Sequence, residues 1–191
     1  QHPYIQGDKV AVTGFSLGGG STLFSMFERV ASGVIRNDGP RFSAYASFYA
    51  GCSLDFEEFE VEGSPVLIMM GEVDESMSIE RCKWFKNKLE QYGVEVEMSV
   101  YEGAGHGWEQ PYPQAFQPGA AITKDCLMLW NAGDEVIEQS TGYSIDTTLG
   151  AALAFSQCSS RDGYTMGFNA QAKEQSWQDF YAFLKKTWEV D

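Results

Sequence analysis

The sequence predicts an α/β protein: a mostly parallel sheet with crossover helices. Three observations carry that expectation. Strand-length and helix-length patterns follow one another in the order strand, helix, strand, loop, strand, helix, strand, which is the signature of parallel strands joined by crossovers. Residues 66–70 (VLIMM) form a continuous apolar run, as a strand covered on both faces requires. Residues 94–101 (VEVEMSVY) instead alternate strictly, with Val94, Val96, Met98 and Val100 on one side, which suits a strand near the sheet's edge.

Taken in order, residues 9–13 (KVAVT) read as a short buried strand closed by Gly14. Residues 21–31 read as a helix, with Leu23, Met26, Phe27 and Val30 at helical spacing. The Asn37-Asp38-Gly39-Pro40 segment is loop chemistry. Residues 42–49, rich in aromatics and small side chains, contain a second strand, and residues 54–64 are acidic and irregular. Pro65 opens the apolar run. A helix over residues 78–92 presents Ile79, Cys82, Phe85, Leu89 and Tyr92 as one stripe, with Gly93 placed as its C-cap.

From Pro111 the rhythm changes. Pro111, Pro113 and Pro118 mark a loop, and residues 126–130 and 135–139 flank an Asn-Ala-Gly-Asp turn as a small hairpin. Residues 147–157 read as helical. In the final helix Trp177, Phe180, Tyr181, Leu184 and Trp188 share a face. The whole is expected as one domain, with an insert at about residues 110–168 before the closing helix.

Bulk composition narrows the function classes. The chain has 191 residues, 43% hydrophobic and 21% charged, enough for one substantial core. Thirteen Lys and Arg against 27 Asp and Glu give a net charge of -14, a surface that repels phosphate backbones and anionic lipid. Neither nucleic acid nor a membrane is expected as partner; oligomeric state and localisation stay open. No apolar run approaches the ~20 residues of a membrane helix. Cys52, Cys82, Cys126 and Cys158 form no CxxC pair, and no metal site is expected. Chain order suggests disulfides Cys52–Cys82 and Cys126–Cys158, against the alternative of four buried thiols.

The chemistry is concentrated at strand ends. Gly14-Phe15-Ser16-Leu17-Gly18 fits G-x-S-x-G, a pattern that chance alone supplies with a probability of about 0.2. Its position between a strand and a helix gives it weight, because a strained strand-to-helix turn lifts the serine hydroxyl out of the sheet. The Leu17 backbone N–H then faces a developing oxyanion beside the helix N-terminus. A serine hydroxyl needs a base. His2 lies at the terminus, whereas His106 sits among glycines just past a strand, in Gly103-Ala104-Gly105-His106-Gly107. A carboxylate is expected after an intervening strand, and Glu72, Asp74 and Glu75 all qualify.

These motifs resemble the dienelactone hydrolase family of the α/β-hydrolase superfamily, and more distantly the prolyl oligopeptidase catalytic domains. The resemblance rests on Gly-Phe-Ser-Leu-Gly-Gly around Ser16, Tyr49-Ala50-Gly51-Cys52, Pro65-Val66-Leu67, Gly71-x-x-Asp74 and Gly105-His106-Gly107. It covers about residues 3–109 and the closing helix. It implies an α/β-hydrolase fold, a triad of Ser16, Asp74 and His106, and no cofactor. The enzyme that names the family uses a cysteine nucleophile; Ser16 in its place points away from dienelactone and toward small carboxylic esters or lactones. A peptidase, or an inert binding protein that keeps the fold, is the alternative. Phe15 and Trp108, with Tyr112 and Phe116, are candidate pocket residues. Only about eight residues precede the first strand, where the family has some four strands, so the N-terminal half is expected to be absent. That would leave an exposed strand edge and an incomplete oxyanion hole.

Overall fold

The computed structural model describes residue 4 and residues 6–34 and 39–190. His2, Asn37 and Asp38 lie outside them. Four parallel strands form the central sheet: β1 (Ala11–Phe15), β2 (Ala44–Phe48), β4 (Val66–Gly71) and β5 (Val96–Tyr101), in the order β1-β2-β4-β5. Phe15 pairs with Phe48, Phe48 with Met69, and Gly71 with Tyr101, so the C-terminal ends of all four strands come into line. The expected parallel α/β architecture is what the chain adopts. β5 is an edge strand, as its alternation predicts. β1 is the opposite edge, with Thr13 exposed.

Both faces of the sheet are covered, which explains the unbroken apolar run of β4. Val66, Ile68 and Met70 point into one core with Tyr45, Leu23 and Phe27, roofed by Phe85 and Leu89 of α3 (Ile79–Gln91). Leu67 and Met69 point into the other with Phe48 and Trp108, beneath Phe180 and Phe183 of α5 (Ala170–Trp188). Each fully buried large apolar side chain contributes about 1.5–3 kcal/mol, so the two layers dominate the fold's stability.

Three expectations about elements need correction. The first strand is displaced to Ala11–Phe15, because its pairing with β2 continues through Gly14 and Phe15. The helix over residues 21–31 is two helices, α1 (Leu17–Phe24) and α2 (Glu28–Ser32). Phe27 interrupts them with extended backbone, φ -78° and ψ 133°, bridges Val61, and stacks on Phe56 at 3.9 Å. The acidic stretch contains a short strand, β3 (Leu54–Phe56). It joins β7 (Met128–Trp130) in parallel, and β7 forms the expected hairpin with β8 (Val136–Glu138).

Ahead of α5 the chain also holds α4 (Thr148–Cys158) and an antiparallel pair of β6 (Ala115–Gln117) with β9 (Tyr164–Met166). Cys52 is joined to Cys82 and Cys126 to Cys158, leaving no free thiol. The first bridge ties the segment after β2 to α3; the second ties the hairpin to α4. No helix among the described residues is long and apolar enough to cross a membrane.

Candidate active site

β1 passes into α1 through a single residue, Ser16, at φ 54° and ψ -119°. A non-glycine residue in this region carries strain of about 1–3 kcal/mol, which the surroundings must hold. They do so through two backbone bonds of 3.0 Å, Ser16 N–H to Phe48 O and Gly20 N–H to Ser16 O. Gly14 and Gly19 are needed for closeness, whereas Gly18 is not: a Cβ on Gly14 would stand 2.1 Å from the Gly18 carbonyl oxygen and one on Gly19 2.9 Å from the Ala50 Cβ, but one on Gly18 would meet nothing within 4 Å. Leu17 opens α1 with its side chain exposed, and N–H groups of a first helical turn have no intrahelical acceptor.

The loop after β5 brings His106 to this turn, with Nε2 2.8 Å from Ser16 Oγ. On the other side of the ring Nδ1 lies 2.7 Å from Asp74 Oδ2, in the loop after β4. A carboxylate only accepts, so Nδ1 carries the proton and Nε2 accepts from the serine hydroxyl. His106 and Asp74 are 7% and 4% exposed, so water competes weakly for these bonds. The remaining carboxylate oxygen, Asp74 Oδ1, accepts from Ser76 through its backbone N–H at 3.1 Å and through its hydroxyl. The two neighbouring acids are engaged elsewhere: Glu72 accepts from Gly103 N–H at 2.9 Å, and Glu75 from Thr165 N–H at 2.7 Å.

A cavity of about 270 Å³ opens beside the serine, lined among others by Ser16, Leu17, Phe24, Cys52, Met77 and Arg81. Arg81 donates from Nε to the Cys52 carbonyl at 3.0 Å and lies over the Trp84 ring at 3.6 Å; burial lowers its pKa from the ordinary guanidinium value. None of the four aromatics expected to line a pocket borders this cavity. Trp108 is fully buried as a packing residue, its Nε1–H donating to Ser176 Oγ at 3.0 Å. Phe15 stacks on Phe48 at 4.6 Å, while Tyr112 and Phe116 are exposed.

The profile of the dienelactone hydrolase family matches residues 1–188. The chain belongs to that family. A solved structure of a dienelactone hydrolase-like promiscuous phosphotriesterase from metagenomic libraries is similar to it, at 16% identity and a TM-score of 0.57. The match covers 97% of this chain and 55% of that one. The chain thus spans about half the length of that relative, and the likeness shows the α/β-hydrolase fold. An α/β-hydrolase enzyme from a Medee basin deep-sea metagenome library matches at 21% identity and a TM-score of 0.41, over 53% of this chain and 41% of that one. No curated protein matches the chain.

In this dienelactone hydrolase family member the segment between the histidine loop and α5 also reaches the site. There β9 accepts His106 N–H at Thr165 O (2.8 Å), and Gly167, just past the strand, donates its N–H to His106 O (2.9 Å). Thr165 in turn donates its N–H and hydroxyl to Glu75, so one strand spans the histidine loop and the acid loop. Gln114 braces the same loop, accepting from Gly105 N–H at 2.8 Å and donating to Gly103 O at 2.9 Å.

Two aromatic rings flank the imidazole edge-on, Tyr49 at 4.7 Å and Tyr164 at 5.6 Å. Tyr49 holds a left-handed φ of 39° and donates its hydroxyl to Glu109. Burial, reinforced by Glu109, pushes its phenol far above the usual tyrosine value. Ser76, Thr165 and Gln114 are not legible in the sequence, and neither are the contacts that Glu75 and Tyr49 make here, because each depends on a loop whose course the sequence does not fix. The nearest signal is the run Asp74-Glu75-Ser76 itself, three polar side chains just beyond a buried strand.

Proposed function

We propose that the chain is a serine hydrolase that cleaves small carboxylic esters or lactones through an acyl-enzyme. The observation that carries this reading is the relay of 2.7 and 2.8 Å bonds from Asp74 through His106 to Ser16 Oγ, on a strained turn at a helix N-terminus. Ser16 Oγ attacks the carbonyl carbon while its proton passes to His106 Nε2. The oxyanion so formed receives the Leu17 N–H and the favourable end of α1. Collapse expels the alcohol, which takes the proton back from His106. Water then attacks the acyl-enzyme by the same route, releasing the carboxylic acid and restoring Ser16. Asp74 holds the imidazole in the tautomer that can accept at Nε2 and stabilises the imidazolium between the two proton transfers.

A cavity of about 270 Å³ beside Ser16 suits a small acyl or alkoxy group. Steady-state hydrolysis of short p-nitrophenyl esters tests the reading. Turnover that drops by at least ~10³-fold in Ser16→Ala supports it. Equal turnover by the variant, or cleavage of peptides in place of esters, refutes it.

A further inference from the structure

The relay uses one oxygen of Asp74 and leaves the other free to be held. Oδ2 faces His106; Oδ1 turns away and meets Ser76, which donates both its backbone N–H and its hydroxyl. The same hydroxyl oxygen lies 3.3 Å from His106 Nδ1. Ser76 is 5% exposed, so bulk water has little access to replace it.

The terminal torsion of an aspartate is broad and roughly two-fold, so a single bond to the imidazole does not fix the carboxylate plane. Donors on Oδ1 fix it, and they also satisfy a buried oxygen that would otherwise lie desolvated without a partner. The backbone N–H alone supplies one such donor. The hydroxyl supplies the second, from a position that also touches Nδ1. Glu72 and Glu75 are committed to Gly103 and Thr165, and the Tyr49 hydroxyl to Glu109. Among the described residues the Ser76 hydroxyl is the side-chain donor on Asp74 besides His106.

Building on the serine-hydrolase reading, we infer that Ser76 is a positioning residue for the reaction. Its hydroxyl locks the Asp74 carboxylate with Oδ2 in line with the His106 Nδ1–H, and its oxygen offers that N–H a second, weaker acceptor when the ring becomes doubly protonated. Ser76 acts through Asp74 and His106 and does not reach the substrate.

The test compares the wild-type chain with Ser76→Ala and Ser76→Thr, each checked for folding by circular dichroism. On a p-nitrophenyl ester, Ser76→Ala is expected to lower kcat by roughly 5- to 30-fold with KM changed by less than about two-fold, and Ser76→Thr to recover most of the loss. The second readout does not depend on turnover. The sequence holds two histidines, so 15N-histidine labelling isolates the low-field proton of the His106 Nδ1–H···Asp74 bond. That resonance is expected in the wild type, broadened or lost in Ser76→Ala, and restored in Ser76→Thr.

An unchanged resonance in Ser76→Ala overturns the inference whatever kcat does, and so does its absence from the wild type. If Ser76→Ala fails to fold, the resonance in Ser76→Gly, which keeps the backbone N–H, decides in its place by the same criterion. A wild type without turnover whose resonance is nevertheless lost in Ser76→Ala refutes the hydrolase reading and leaves the hold of Ser76 on Asp74 standing.

Discussion

Gly105→Ala isolates the contact between β9 and the histidine loop. An added Cβ at position 105 would lie 2.5 Å from the Thr165 carbonyl oxygen and 2.8 Å from its carbonyl carbon. Both are backbone atoms of β9, so no flexible side chain can swing aside. Reaching even 3.0 Å requires a displacement of 0.5 Å, the difference between 3.0 and the 2.5 Å contact. The Ser16–His106 bond is 2.8 Å, so the same displacement taken along it would stretch it to 3.3 Å, near the limit of a hydrogen bond. Overpacking of this kind costs about 1–3 kcal/mol of stability. Misplacement approaching 1 Å costs on the order of 10²-fold in rate. Gly105 has no left-handed backbone, so alanine adds bulk without torsional strain. Gly63→Ala, where an added Cβ meets nothing within 4 Å, is the control. Ester kcat and thermal melting of both variants form the assay. Gly105→Ala with wild-type kcat and melting would refute the claim that β9 sets the position of His106.

Glu75→Gln weakens the acceptor of the Thr165 N–H and hydroxyl, and ester kcat is expected to fall by about 3- to 10-fold with little change in KM. Replacing Cys52 and Cys82 by serine removes a bridge between residues 30 positions apart, and urea titration should register a loss of about 3–4 kcal/mol. Burial first, and then an acidic partner, raise the phenols of Tyr45, Tyr49 and Tyr101 far above the ordinary value. A folded value above the unfolded one means stability fully present below about pH 10 and lost progressively above it. Spectrophotometric titration should therefore show these three among nine tyrosines ionising only as the chain unfolds in alkali.

The parallel sheet is legible because its strands are marked by composition and by period: β4 is apolar throughout and β5 alternates. Ser16 and His106 are legible because glycines crowd the turns that carry them. The carboxylate is less so. Glu72, Asp74 and Glu75 stand within four positions, and which one meets the imidazole depends on the course of a loop. The break at Phe27 is invisible, since a buried phenylalanine at helical spacing looks the same in extended backbone. Strands β3, β6 and β9 span three residues each, too few to show a period, and their partners lie far along the chain. Trp108 illustrates a different ambiguity. An aromatic two residues past the histidine reads alike whether it lines a pocket or, as here, fills the core beneath the site.

Fluorophosphonate labelling of the chain, with the modified residue located by mass spectrometry, decides whether Ser16 is a nucleophile activated by His106. Stoichiometric label on Ser16 that disappears in His106→Ala is expected. Absence of label, or label on another serine with Ser16 unmodified, would contradict it.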